Sequence, residues 1–79
     1  MPTIFYYLGL QFLFYSNDHE PIHVHVQNGD GEAKFQVLPI RLIENKGLKN
    51  RDLRIAEMAI EENKEIIIER WNEFFKDKK

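Results

Sequence analysis

Asn17-Asp18-His19-Glu20-Pro21-Ile22-His23-Val24-His25-Val26 is the segment that decides the fold, and it holds all three histidines of the chain. Its first half is typical of a loop, since Asn, Asp and Pro are turn-forming residues. From Ile22 onward apolar and polar residues alternate, which indicates a β-strand with two different faces. Ile22, Val24 and Val26 would then face the core, and His23 and His25 would lie side by side on the outward face.

The segments on either side of this strand also alternate. Residues 3–8 and 10–15 consist of good strand formers, and Gly9 between them is either a hairpin turn or a bulge in one long strand. A further strand is expected over about residues 32–38, where Pro39 ends it, and a short fifth strand over residues 40–44. The sequence therefore predicts four or five strands that follow one another in the chain.

The turn after the histidine strand leaves two registers open. Asn28-Gly29 is a strong hairpin signal because a type I′ turn needs positive φ at both central residues. A turn centred there would place His25 opposite Glu32 and His23 opposite Lys34. A turn centred on Gly29-Asp30 would place His25 opposite Lys34. Both registers keep the apolar faces together.

Beyond Asn50 the apolar spacing changes from two residues to about 3.6, the period of an amphipathic helix. Asn50 is a suitable N-cap residue. A straight helix from Arg51 to Phe75 would be about 38 Å long, roughly twice the length of the neighbouring strands. Because the apolar stripe turns polar at Asn63-Lys64, we expect a bend or short break there; the alternative is a helix end that projects.

These patterns predict one α+β domain over residues 1–79, with the sheet at about 3–44 and the helical region at about 50–76. The sheet should be an antiparallel meander of four or five strands, with one long or broken C-terminal helix packed on one face. The predicted core consists of Ile4, Tyr6, Leu8, Phe12, Phe14, Ile22, Val24, Phe35, Val37, Leu53, Ala56, Ile60, Ile67 and Trp71.

Composition excludes several classes of protein. The 79 residues include no cysteine, so disulfides and thiolate zinc sites are excluded. There is neither a signal-peptide pattern nor an apolar run near the roughly 20 residues of a membrane span, so we expect a cytoplasmic protein without membrane contact.

The net charge of −2 argues against a nucleic-acid binder driven by bulk electrostatics, and leaves phosphate contact by the basic cluster in residues 41–54 as a minor alternative. Glutamates recur every four residues from Glu57 to Glu73. This row is either an ordinary solvated surface or an acidic ridge that binds a basic partner.

The histidines are the candidate functional residues. His23 and His25, two positions apart on a strand, present both rings to the same side, close enough to bind one metal ion. His19 could supply a third nitrogen, and Asp18, Glu20 or Glu32 an oxygen. Such a set suits zinc or nickel. The alternatives are an acid–base site and a structural or partner-facing role in which the rings form hydrogen bonds across the sheet.

The start Met-Pro-Thr-Ile and the block Phe-Tyr-Ser-Asn-Asp-His-Glu-Pro-Ile-His-Val-His-Val resemble a bacterial family of small proteins, domain of unknown function 4160. The family pattern is similar to Asn-Asp-His-x-Pro-Pro-His-x-His followed by a helix that contains Trp. The chain departs from it in carrying Ile22 where a second proline is usual. Genes of this family often lie beside a second small family, domain of unknown function 2442, in an arrangement similar to toxin–antitoxin modules. The matching residues are Asn17, Asp18, His19, Pro21, His23, His25 and Trp71.

Two functions are therefore expected. The leading hypothesis is a binding module, one partner of a two-gene toxin–antitoxin-like system, which contacts a small protein encoded by a neighbouring gene or a second copy of itself. The other is a metal- or histidine-dependent hydrolase or nuclease that uses His19, His23 and His25. In that hypothesis Asp18 or Glu32 would orient a ring as a neighbour of the metal ligands. The cations expected to hold substrate phosphates are Lys49, Arg51 and Arg54.

Overall fold

The computed structural model describes residues 3–76, which form a five-stranded antiparallel sheet followed by two helices. The strands lie in the sheet in chain order, so the predicted α+β meander is confirmed. The strands are β1 (Thr3–Tyr7), β2 (Leu10–Leu13), β3 (His23–Gln27), β4 (Glu32–Val37) and β5 (Ile40–Lys46). The helices are α1 (Asn50–Glu62) and α2 (Lys64–Phe75).

The first two strands form a hairpin, which settles the alternatives at Gly9. Leu8 and Gly9 have positive φ angles of 49° and 83°, as the two central residues of a type I′ turn require. Leucine rarely adopts this conformation, so the hairpin places Leu8 in a strained turn at the end of the sheet.

The loop between β3 and β4 centres on Gly29-Asp30, so His25 lies opposite Lys34. This confirms the second of the two registers, and the register centred on Asn28-Gly29 is wrong. The reason is that Asn28 closes a wider loop instead of forming a two-residue turn. Its backbone N–H donates to the carbonyl of Gly31 at 3.0 Å, and its side-chain oxygen accepts from N–H groups within the loop at 2.7 and 3.2 Å.

The helical region consists of two helices, so the prediction of one long or broken helix is wrong. The boundary lies at Asn63, beside the polar interruption of the apolar stripe. The Asn63 side-chain amide donates to the carbonyl of Ala59 at 2.8 Å and competes with the backbone hydrogen bonds of the helix. Its φ and ψ of −115° and 21° turn the chain out of α1 before α2 begins. No helix within residues 3–76 has the length and apolarity to cross a bilayer.

Both helices contribute to one core with the sheet. Of the predicted core, Tyr6 and Leu8 are wrong, since each is 69% exposed. β1 is an edge strand and Leu8 belongs to its turn, so no element covers them. Ile4, Ile22 and Leu53 are half-buried at the margin of the core. The predicted residues that are buried are Phe12, Phe14, Val24, Phe35, Val37, Ala56, Ile60, Ile67 and Trp71.

Trp71 of α2 joins the helices to the sheet next to the histidines. Its ring centroid lies 5.3 Å from Phe14 in an edge-on arrangement and 4.3 Å from Phe75. The His23 ring lies 5.4 Å away. The side chain is almost fully buried, so α2 is anchored through this residue.

Replacing Trp71 with alanine should lower the free energy of unfolding by about 3–5 kcal/mol, because it removes a large buried ring and leaves a cavity. The matched control is Asn72→Ala, an exposed neighbour on the same helix, which should change stability by less than about 0.5 kcal/mol. Urea denaturation of both variants provides the comparison. Equal stabilities of the two variants would contradict the docking of α2.

Candidate functional site

The loop before β3 is held by a reciprocal pair of hydrogen bonds. The backbone N–H of Tyr15 donates to Oδ2 of Asp18 at 2.9 Å, and the backbone N–H of Asp18 donates to the carbonyl of Tyr15 at 3.1 Å. An Asp that bonds nearby backbone in this way stabilises a tight turn. The turn leaves the second carboxylate oxygen of Asp18, Oδ1, directed at β3.

That single oxygen contacts both histidines of the strand. Oδ1 of Asp18 lies 3.1 Å from Nε2 of His23 and 3.1 Å from Nε2 of His25. The two rings are neighbours, with centroids 5.3 Å apart, as their spacing on the strand predicts. The side chains of all three residues are no more than 10% exposed. The three residues, which we call the Asp18 cluster, are therefore buried together.

The opposite nitrogen of each ring faces a hydrogen-bond acceptor. Nδ1 of His23 lies 2.9 Å from the carbonyl oxygen of Pro21, and Nδ1 of His25 lies 3.2 Å from Oε2 of Glu32. The phenol of Tyr15 donates to that same Glu32 oxygen at 2.9 Å. The Pro21 carbonyl only accepts hydrogen bonds, so Nδ1 of His23 carries a proton and donates. His25 forms its hydrogen bond through Nε2, with Oδ1 of Asp18, and its Nδ1 is within ion-pair distance of Glu32.

This assignment places two electron-rich atoms in contact. In a neutral His23 ring with its proton on Nδ1, Nε2 has a lone pair and no hydrogen. Nε2 of His23 would then face an anionic oxygen that also cannot donate, and the same oxygen forms the hydrogen bond with Nε2 of His25. The arrangement is stable only with positive charge between these atoms, either a proton on each Nε2 or a metal ion.

A metal ion fits the same geometry. The three candidate ligand atoms all lie within 4.8 Å of one another. With metal–ligand distances of about 2.1 Å, an oxygen and a nitrogen 3.1 Å apart subtend an angle of about 95° at the ion, between octahedral and tetrahedral values. Metal-binding histidines usually donate their other N–H to a carbonyl or carboxylate, as His23 does to Pro21, and Nδ1 of His25 has the Glu32 carboxylate 3.2 Å away.

The surroundings also shift the pKa values of two side chains, Asp18 and Tyr15. Burial raises the pKa of Asp18, but the hydrogen bond from the Tyr15 backbone, the hydrogen bond with His25 and the charges of both histidines outweigh it, so the pKa lies below its ordinary value. Burial, together with the Glu32 carboxylate, raises the pKa of the Tyr15 phenol. Both shifts favour an ionised Asp18 and a phenol that keeps its proton to donate.

The prediction that His23 and His25 lie on an outward, exposed face is wrong, since both residues are buried. The loop before β3 folds back over them, and the Tyr15 ring packs 4.2 Å from that of His25. The period of two correctly places both rings on one side. It carries no information about a loop that covers that side.

The other predicted site residues are spread around the Asp18 cluster. His19 is exposed and lines an open groove of about 410 Å³ that also reaches Asp18 and His23. Glu32 contacts His25, with Oε2 3.2 Å from Nδ1 of the ring. Lys49, Arg51 and Arg54 line neither this groove nor a smaller one, of about 180 Å³, that reaches His25.

Sequence reasoning missed two residues of this region. Tyr15 was assigned to a strand, yet its backbone holds Asp18 and its phenol holds Glu32. Lys34 lines both grooves, whereas the predicted cations lie elsewhere. The only signal for Lys34 is the hairpin register, since both alternatives place it opposite a histidine, His23 in one and His25 in the other.

Of the comparisons with known proteins, the one with family models gives a match. A family model described as "Domain of unknown function (DUF4160)" matches residues 9–72, a range that contains the Asp18 cluster, both grooves and Trp71. No curated protein sequence and no solved structure matches the chain.

Ionised Asp18 should stabilise the fold, and acid should remove that contribution. Because its pKa is lower in the folded than in the unfolded chain, the stabilisation is complete above the unfolded pKa and is lost as the pH falls below about 4. We expect wild type to be more stable than Asp18→Asn at pH 7. This difference in the free energy of unfolding should shrink between pH 5 and pH 3, because Asp18 becomes protonated there and loses its charge. Urea denaturation at each pH measures it, and a difference that grows on acidification would contradict the assignment.

Proposed function

The chain belongs to the DUF4160 family, as its histidine motif indicated, and on that premise we propose that it is a metal-dependent hydrolase with a divalent transition ion on Asp18, His23 and His25. The family description names no activity, so the proposal depends on the site itself. The observation that carries it is the direction of the two rings. Both turn Nε2 towards Oδ1 of Asp18 and have Nδ1 within hydrogen-bond distance of an acceptor.

The donor set indicates which ions would bind. Two imidazole nitrogens and one carboxylate oxygen, without thiolate, suit zinc, nickel or iron(II) better than magnesium or calcium. Structural zinc sites are usually closed by four protein ligands, whereas catalytic sites have three and keep a position open. The Asp18 cluster has three, which supports a catalytic ion.

Such an ion would act as a Lewis acid on a carbonyl or phosphoryl oxygen and would lower the pKa of water. The residues around it have separable tasks. The Pro21 carbonyl and Glu32 fix the orientation of the two rings, and Tyr15 holds both Glu32 and Asp18. His19, exposed in the open groove beside Asp18, is the residue available to exchange protons with a bound molecule.

Zinc titration of chelator-treated protein tests the proposal. We expect one zinc per chain with a Kd below about 1 μM, and at least about 100-fold weaker binding in His25→Gln, because a ligand nitrogen is lost. The matched control is His19→Gln, which should bind zinc as wild type does, since His19 is outside the Asp18 cluster. Glu32→Gln, which keeps the ligands but weakens their orientation, should bind about 10–100-fold more weakly.

Two results of the zinc titration would contradict the proposal. A Kd no tighter than about 100 μM is what an incidental surface pair of histidines would give, and would end the metal proposal. Zinc binding that depends on His19 more than on His25 would contradict the ligand assignment. Circular dichroism spectra of the variants establish that each one folds.

A second candidate function is a protein–protein module, one partner of a two-gene toxin–antitoxin-like system. The observation that favours it is the edge of the sheet at β1. Tyr6, Tyr7 and Leu8 there are 69%, 45% and 69% exposed, and β1 pairs with a strand on one side only. An open edge with exposed apolar side chains is a surface to which another chain can add a strand.

Co-expression with the small protein encoded by the neighbouring gene tests this candidate. We expect a complex that survives gel filtration at micromolar concentration and that Tyr6→Ser weakens by about tenfold or more, since exposed tyrosines at interfaces contribute strongly. Met58→Ser is the control, because Met58 is 63% exposed on α1, away from β1. Two proteins that elute independently would exclude this pairing.

A further inference from the structure

Lys34 is a half-buried cation with no acidic partner among residues 3–76. Glu44 lies directly opposite Lys34 on β5. The Glu44 carboxylate nevertheless lies 3.4 Å from the ammonium of Lys46, and no described carboxylate is within ion-pair distance of Lys34. A charged group that is partly removed from water gains from an opposite charge nearby. Lys34 is thus free to pair with an anion that comes from outside the chain.

The position of Lys34 links it to the Asp18 cluster. It is the cross-strand partner of His25. It lines the groove of about 410 Å³ together with Asp18, His19 and His23, and it lines the smaller groove beside His25. An ammonium in this place and an ion on the Asp18 cluster would border the same space.

We propose that the site takes a substrate with a negatively charged oxygen group, a phosphate or a carboxylate, which is bound between the metal ion and the ammonium of Lys34. This inference rests on the proposed function, since the ion supplies half of the attraction. A divalent ion and Lys34 together would place more positive charge at the groove than the carboxylates of Asp18 and Glu20 cancel, which selects an anion over a neutral group. Lysine binds phosphate and carboxylate oxygens as a point charge, through short charge-assisted hydrogen bonds.

The groove also determines what kind of molecule can carry this group. It is open and not enclosed, and its walls are the loop before β3 on one side and Ile43 on the other. The rest of the substrate can therefore extend past His19 into solvent. The recognised part is the charged oxygen group, and the site would accept small esters as well as the end of a longer molecule.

Isothermal titration of zinc-loaded protein with inorganic phosphate, and separately with acetate, tests the inference. We expect at least one of the two anions to bind, with an affinity about tenfold or more weaker in Lys34→Gln, because a charge-assisted contact is lost. Lys49→Gln is the matched control, since Lys49 is an exposed lysine that lines neither groove. Its anion affinity should equal that of wild type. Tighter binding of phosphate would identify phosphate esters as the substrate class, and tighter binding of acetate would identify carboxylates.

Two results would overturn the inference and are distinguishable from each other. If zinc binds tightly but neither anion binds, or Lys34→Gln binds both as wild type does, this inference fails and the metal site stands. If the chain binds no zinc, the proposed function fails and the inference fails with it. Unchanged zinc affinity in Lys34→Gln shows that the Asp18 cluster is intact in the variant.

Discussion

One carboxylate oxygen, Oδ1 of Asp18, is shared by Nε2 atoms of two buried histidines, and the whole site depends on this contact. His23 directs Nδ1 at the Pro21 carbonyl, so it has no second hydrogen to donate to Asp18 unless it is charged. Positive charge must therefore lie between Nε2 of His23 and Oδ1 of Asp18. In a buried setting the attraction is stronger than in water, and an uncompensated arrangement would be correspondingly costly. The proposed metal ion would satisfy all three atoms at once and would leave the Nδ1 hydrogen bond of His23 unchanged.

Three parts of the fold hold Asp18, His23 and His25 in contact. β3 lies between two paired strands, so the positions of His23 and His25 are fixed by hydrogen bonds on both sides. The turn at Tyr15 fixes Asp18 through backbone hydrogen bonds. Trp71 of α2 packs against both Phe14 and His23, so the helix docking that completes the core also shields the histidines from water. Stability and the chemistry of the site are consequently coupled through shared residues.

The sequence predicted what depends on local periodicity. The meander, the common side of His23 and His25, and the core face of Val24 and Phe35 all follow from alternation along single strands. It failed where distant segments meet. Nothing in the strand pattern shows that the loop before β3 covers the histidines, and the Asn28 signal for a tight turn was overridden by side-chain hydrogen bonds in a wider loop. His19 was grouped with the other histidines by proximity in sequence, but it lies on the exposed part of the loop. The phosphate-binding cations were sought in a basic cluster, whereas the cation at the groove is a single lysine on β4.

The protonation and ligation of the ring nitrogens is the most direct test of the central claim. Two-bond proton–nitrogen correlation NMR spectra of ¹⁵N-labelled protein, recorded without and with one equivalent of zinc, distinguish Nδ1 from Nε2 in each ring. We predict that with zinc bound both His23 and His25 carry their proton on Nδ1 and the Nε2 resonance of both rings is shifted, while the His19 ring keeps the spectrum that it has without zinc. A hydrogen on Nε2 of either buried ring in the presence of zinc, or a shift confined to His19, would contradict the account.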